Sequence, residues 1–229
     1  MKFYGFQKMT MLDFPNRVAC IVFTGGCNFR CPFCHNALLV TQADNVVYDE
    51  SEILYYLKKR KGLLDGICIS GGEPLLQIGL EDFLVKVREI GLQIKIDTNG
   101  SFPARLKSIV EKGLVDYVAM DIKNCKEKYP QTAGTKSVDI QKIEDSVNFL
   151  LQGKVDYEFR TTVVSGLHEA EDFEKIGLWI KGAKKYFLQN FVDSGNLIKS
   201  GLCAVSLDKF KEFQEIVKPH VEKIALRGV

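Results

Sequence analysis

The run Gly26-Cys27-Asn28-Phe29-Arg30-Cys31-Pro32-Phe33-Cys34-His35 follows an apolar stretch, Val18-Ala19-Cys20-Ile21-Val22-Phe23, and decides how the rest of the chain reads. Its three cysteines are spaced C-x3-C-x2-C, and no fourth cysteine lies nearby. Four-iron clusters take four ligands, usually all cysteine. A loop that offers three leaves one iron open to a small molecule, which points to chemistry rather than to a structural staple. The main alternative is structural zinc, which closes with four Cys or His ligands, commonly on paired arms. Here a single arm carries all three, and His35 directly after Cys34 makes a shared tetrahedron awkward. A disulfide framework fits less well again, because seven cysteines are an odd number and no secretory segment is read.

Working outward, 229 residues with 46% apolar and 26% charged side chains bound a globular chain with material for a sizeable core. One domain is expected over 1–229, with a core at about 16–191 and a C-terminal helix and strand extension over 192–229. A net charge of +2 gives no argument for nucleic acid. The basic run Lys58-Lys59-Arg60-Lys61 reads as a helix C-terminus, with a docking patch for an acidic electron donor as the alternative. No membrane span is read. Seven cysteines with no export signal read are expected to lie in a reducing cytoplasm.

Apolar runs alternate with helical patterns. Strands are expected at 18–24, 66–70, 93–97, 117–121, 156–164 and 186–190, and helices at 51–61, 78–90, 103–112, 138–152 and 169–181. Ser51 is expected to cap its helix, and Gly62, Gly91, Gly113 and Gly153 fall where helices should stop. A helix at 207–217 and a strand at 223–226 follow. Six β/α units predict an α/β fold with parallel strands, too few for a closed eight-fold barrel and so a partial, open (β/α)6 barrel. The polar segment 124–137 is long enough to expect a functional loop.

Ligands gather at the carboxyl ends of parallel strands. The cysteine loop, Ser70-Gly71-Gly72-Glu73-Pro74, Asp97-Thr98-Asn99-Gly100, Asp121-Ile122-Lys123, Arg160 and Gln189 all fall there. Gly71-Gly72 permits close backbone approach. Exposed carbonyls there, with Glu73, are suited to a ligand ammonium; a plain turn with Glu73 and Pro74 starting a helix is the alternative. Asp97 and Asp121 end adjacent strands and would repel without a cation or proton between them. A hard cation held by Asp97, Thr98 and Asp121 would answer this. Lys123 and Arg160 are suited to a carboxylate, or to ion pairs with those aspartates. Cys20 and Cys68 read as ordinary buried cysteines, Cys125 stays open, and His168 and His220 read as surface residues.

At these residues the chain resembles the radical S-adenosylmethionine superfamily, through Cys27, Cys31 and Cys34 with Phe33 before the last, and through Gly71-Gly72-Glu73-Pro74. Within it the chain resembles the glycyl-radical-enzyme activases, those of anaerobic ribonucleoside-triphosphate reductases most of all. The words that carry this are Leu12-Asp13-Phe14-Pro15, Phe23-Thr24-Gly25-Gly26-Cys27-Asn28, Cys34-His35-Asn36, Asp97-Thr98-Asn99-Gly100 and Met120-Asp121-Ile122-Lys123. Asn16 stands where that pattern has glycine, and Asn accepts left-handed dihedrals better than most residues. A cysteine-rich insert, as in activases with extra clusters, is absent between Asn36 and Ser51.

The resemblance implies an oxidoreductase of the EC 1.97.1 type. A [4Fe–4S] cluster on the three cysteines would be chelated at its open iron by S-adenosylmethionine. Reductive cleavage would give methionine and a 5′-deoxyadenosyl radical, which takes hydrogen from a glycine of a partner enzyme. It implies cofactor contacts from Phe33, His35, Gly71, Gly72, Glu73, Asp97, Asn99, Lys123, Arg160 and Gln189. A monovalent cation at Asp97, Thr98 and Asp121 is implied, as is a flavodoxin or ferredoxin electron donor. The competing readings are a radical enzyme for a small molecule and a zinc-binding interaction module. The terminal Leu226-Arg227-Gly228-Val229 reads as a tail.

Overall fold

A computed structural model describes residues 1–41 and 48–229. Its elements run β1 (Lys2–Phe3), β2 (Gly5–Thr10), β3 (Ala19–Thr24), α1 (Ala37–Thr41), β4 (Tyr48–Asp49), α2 (Glu50–Lys59), β5 (Gly66–Gly71), α3 (Leu80–Ile90) and β6 (Gln93–Thr98). They continue with α4 (Pro103–Glu111), β7 (Tyr117–Asp121), α5 (Tyr129–Ala133), α6 (Ile140–Leu151), β8 (Asp156–Val163), α7 (Ala170–Trp179), β9 (Tyr186–Asn190), α8 (Leu207–Val217) and β10 (Ile224–Arg227). Eight strands form one sheet in the order β10-β9-β8-β7-β6-β5-β3-β2. Every pairing is parallel except that of β2 with β3. The sheet ends at β2 and β10, so the expected open barrel of parallel β/α units is what forms.

The six expected strands form within a residue or two of their expected bounds. The N-terminal edge was not foreseen. β2 reads Gly-Phe-Gln-Lys-Met-Thr, and its exposed middle gives no apolar alternation to detect. The α2 cap also lies earlier than Ser51: the Asp49 amide donates to Glu52 Oε2 at 2.8 Å, closing a capping box around Asp49. Gly91 ends α3 in a left-handed conformation, as a C-terminal glycine should.

Strand alternation divides the barrel into two environments. Cys20, Val22, Ile67, Ile69, Ile94, Ile96, Val118, Met120, Tyr157 and Phe159 belong to the main apolar core with the helices. The alternate positions include Ser70, Asp97, Asp121 and Arg160, which line a central cavity, with Lys95 and Glu158 buried among them. The strands are therefore buried on both faces, but the inner face is polar. At the floor, Phe14 packs on Ala19 and Tyr117, its ring 6.1 Å from the tyrosine ring. Asn16 just beyond has φ 58°, the left-handed conformation asparagine tolerates.

The segment 124–137 supports the cysteine loop. Within it α5 forms, and the Arg30 amide donates to the Ala133 carbonyl at 2.9 Å. Cys125 is buried below the rim, its sulfur 3.4 Å from Asp172 Oδ1. His168 corrects the surface reading: it is 1% exposed. Its Nδ1 accepts from the Val164 amide at 3.2 Å, and its Nε2 lies 2.8 Å from the Lys123 carbonyl, so the proton sits on Nε2. A polar neighbourhood in sequence, Gly166-Leu167-His168-Glu169, concealed a side chain that ties two loops together.

Burial pulls the His168 pKa down, against the carbonyls that face it. A depressed histidine gives stability that is complete above the unfolded pKa of about 6.5 and is lost as pH falls. We expect the stability gap between wild type and His168→Gln to shrink below about pH 6.5, by up to about 1.4 kcal/mol per pH unit. Glu73, raised to about 7 by burial, acts in the opposite direction in this window, but it is common to both proteins and cancels. Urea midpoints at pH 7.5, 6.5 and 5.5 measure the gap; a constant gap refutes the assignment.

Candidate functional site

The carboxyl ends of the strands surround a cavity of about 380 Å³, within the usual range for small-molecule sites. Cys27, Cys31 and Cys34 line it, with Phe33, His35, Gly71, Gly72, Asp97, Thr98, Asn99, Asp121, Lys123, Arg160 and Gln189. Every site residue expected from sequence is on that wall except Glu73. Ser70, expected at this rim, lines it too, and Asn36, Thr162, Gln7 and Asp13 join it without having been singled out as site residues. Thr162 is spaced two residues from Arg160, so strand alternation was the available signal. Gln7 and Asp13 come from the N-terminal edge that was missed.

The cysteine loop is held from several sides. Cys31 is 7% exposed, and Cys27 and Cys34 are half-buried. The Lys199 amide donates to the Pro32 carbonyl at 3.0 Å, bringing the segment after β9 against the loop. His35 is exposed at the mouth, its ring 6.0 Å from that of Phe191. Burial pushes the Cys31 thiol up to about 12 despite nearby Lys123, and burial raises Cys27 and Cys34 as well. Thiols in this state ionise when a metal cation supplies the missing positive charge. Among the described residues, no three His, Cys, Asp or Glu side chains converge tightly enough for a single metal ion. A cubane instead distributes its thiolates over separate irons. Three soft sulfur donors around one cavity, with the fourth direction open, fit a [4Fe–4S] cluster.

On the charged wall, Lys123 and Arg160 make the ion pairs with the aspartates given above as the alternative. Arg160 lies between the two aspartates, its Nε 3.0 Å from Asp121 Oδ1 and its Nη1 3.5 Å from Asp97 Oδ2. Lys123 Nζ lies 2.9 Å from Asp121 Oδ2, and Lys95, absent from the sequence reading, pairs with Asp97. Burial pushes Asp121 up, but Arg160 and Lys123 prevail and hold it at about 2. Asp97 is depressed by Arg160 and Lys95 against the same burial. The positive charge between the carboxylates is thus a guanidinium. Thr98 lines the cavity, but its hydroxyl is engaged, donating to Glu73 Oε1 at 2.7 Å. The proposed cation ligands are already engaged with the protein.

Glu73 needs correction too. It is fully buried and points into the protein, accepting from Leu75 N at 3.0 Å, Thr98 Oγ1 at 2.7 Å and Asn99 N at 2.7 Å. Its carboxylate joins the Gly71–Gly72 turn to the end of β6 rather than facing a ligand. Side-chain direction depends on which donors lie nearby in three dimensions, which the motif alone does not state. The glycine turn keeps its place on the wall, and the Gly71 carbonyl accepts from Asn36 Nδ2 at 3.0 Å.

Comparison with known proteins identifies the family and the fold. The family model described as the radical SAM superfamily matches residues 21–180. A protein of Methanocaldococcus jannaschii, provisionally named as a glycyl-radical enzyme activating enzyme, is 27% identical over 98% of this chain and 95% of its own length. The pyruvate formate-lyase-activating enzyme of Staphylococcus epidermidis is 29% identical over 77% of this chain and 74% of its own. Among solved structures, Streptococcus suis SuiB bound to S-adenosylmethionine superposes with TM-score 0.69 over 91% of this chain and 52% of that one, at 13% identity. A domain of the pyruvate-formate lyase-activating enzyme of Bacteroides vulgatus gives 0.59 over 71% and 99%, at 16% identity. These structures share the fold. Among the described residues, no helix is long and apolar enough to cross a membrane.

Proposed function

The chain belongs to the radical SAM superfamily, and from that premise we propose that it is an activase that installs a glycyl radical on a partner enzyme. The observation that carries this reading is a cavity lined, among the described residues, by three thiols and no fourth, together with Lys123 and Arg160. When bound, the cluster and S-adenosylmethionine supply a reductively generated 5′-deoxyadenosyl radical. Cys27, Cys31 and Cys34 would hold the cluster. Lys123 and Arg160 would supply positive charge for the methionine carboxylate, and the Gly71–Gly72 backbone on the same cavity would accept from the amine. Phe33, 3% exposed, and the buried strands below exclude water from this end of the cavity.

The partner we propose is an anaerobic ribonucleoside-triphosphate reductase, and the electron donor a flavodoxin or ferredoxin. The near full-length likeness to the M. jannaschii protein supports the activase class. The words around Cys27 and Asp97 support the narrower partner. A monovalent cation at Asp97, Thr98 and Asp121 belongs to the same reading, and it would compete there with Arg160, which pairs with both aspartates.

The test is anaerobic reconstitution with iron and sulfide, then reduction with S-adenosylmethionine and a candidate reductase. We expect 5′-deoxyadenosine and a glycyl-radical signal on the reductase with wild type, and neither with Cys31→Ala. 5′-Deoxyadenosine without a radical on any glycyl-radical enzyme would reject the activase assignment. Zinc in place of iron and sulfide would reject the radical chemistry itself.

A further inference from the structure

The three cysteines do not have equal surroundings. The Cys27 sulfur accepts from the Phe29 amide at 3.4 Å and from Asn99 Nδ2 at 3.7 Å. Among the described residues, no side-chain amide donates to Cys31 or Cys34. Asn99 is fixed in this orientation from every side. Its Oδ1 accepts from the Ser101 amide at 2.9 Å, and a backbone N–H can only donate, so Nδ2 must be the atom that faces Cys27. The same nitrogen donates to Asn28 Oδ1 at 2.9 Å. The Asn99 backbone amide donates to Glu73 Oε2, and the other Glu73 oxygen grips Thr98 and Leu75. Glu73 thereby anchors the residue that reaches the sulfur.

We propose that Asn99, positioned by Glu73, sets the reduction potential of the cluster through an N–H···S hydrogen bond to Cys27. The inference rests on the cluster reading above and gives the buried Glu73 a task other than ligand contact. Hydrogen bonds to cluster sulfurs are among the determinants of cluster potential. Reduction adds one negative charge, so a donor aimed at a ligand sulfur stabilises the reduced state more than the oxidised state. Removing the donor therefore makes the cluster harder to reduce. Glu73 makes no hydrogen bond to a thiol, so its positioning influence passes through Asn99, while its charge also acts on Cys27 through space.

The experiment is a redox titration of reconstituted holoprotein, followed by the electron paramagnetic resonance of the reduced cluster, with iron and sulfide content measured for each variant. Asn99→Ala is expected to load as wild type does. At a fixed poise its ratio of reduced to oxidised cluster should fall about three- to tenfold, where tenfold corresponds to about 59 mV for one electron. Asn99→Asp keeps the acceptor toward Ser101 and removes the donor, so it should shift the same way; it replaces the alanine variant if that one fails to load. Glu73→Gln should lower the ratio in the wild-type background relative to its effect in the Asn99→Ala background, where only the through-space effect of its charge on Cys27 remains. A loaded donor-less variant with the wild-type potential overturns this proposal alone. An additive Glu73 effect overturns the positioning role. Wild type that takes up no iron and sulfide overturns the cluster assignment and this inference with it.

Discussion

Replacing Arg160 by Met is expected to cost the fold about 3–5 kcal/mol, the range found when one partner of a buried ion pair is removed. The guanidinium contacts two carboxylates from two neighbouring strands, Asp97 of β6 and Asp121 of β7, while itself rising from β8. Without it, each aspartate keeps one lysine, Lys95 or Lys123, and the two carboxylates face one another with nothing between. Asp121, now held at about 2, then rises, and the variant becomes most sensitive where that carboxylate titrates. Arg160→Lys should recover only part of the loss, because one ammonium cannot make the two-sided contact of a planar guanidinium. Urea denaturation of the unloaded proteins measures both variants. A loss below about 1 kcal/mol for Arg160→Met would mean that solvent already compensates this network.

Gly72→Ala is expected to damage the site more than any other single methyl group. A Cβ at Gly72 would lie 1.8 Å from the carbonyl oxygen of Gly26. No rotamer can relieve a clash between two backbones. The two segments are also joined there, since the Glu73 amide donates to that same oxygen at 2.9 Å and the Gly72 amide to Thr24 O at 2.9 Å. The alanine must break this seam, and Gly26 is bonded directly to Cys27. We expect at least about 3 kcal/mol of destabilisation, the upper end for overpacking, together with loss of iron uptake. Gly62→Ala is the control. Unlike Gly72, it has positive φ, 84°, but nothing lies within 4 Å, so it should show only left-handed strain of about 1–2 kcal/mol. Equal urea midpoints and equal iron content for the two variants would refute the argument.

Sequence revealed this site because its residues sit at strand ends. Once β3, β5, β6, β7 and β8 are recognised as parallel, Cys27, Gly71, Asp97, Asp121 and Arg160 must share one rim, and they do. It revealed less about where each side chain turns. Glu73 belongs to the same motif as Gly71, yet three donors from Leu75, Thr98 and Asn99 draw it inward, and two of those come from another strand end. Lys95 was legible in principle, standing two residues before Asp97 on the same face of β6, but a lysine in a central strand is usually discounted. His168 was hidden by its polar neighbours, and β2 by its exposed middle.

The barrel's eight-stranded sheet begins at β2 and stops at β10 without joining. Mechanically it is a split hoop, and the gape of a split hoop is not fixed by the rungs along its wall. Tie-rods across the lumen can set it. Arg227 of β10 grips Glu158 of β8 with both terminal nitrogens, at 2.7 and 2.9 Å, and Tyr117 of β7 holds the same carboxylate at 2.9 Å. Arg160 continues the bracing toward β6. A hydrocarbon-filled lumen would leave the free ends to find their own separation. Charged struts of fixed length instead hold the β10 edge at a defined separation from β8 and β7, through residues that do not themselves line the cysteine-bearing cavity.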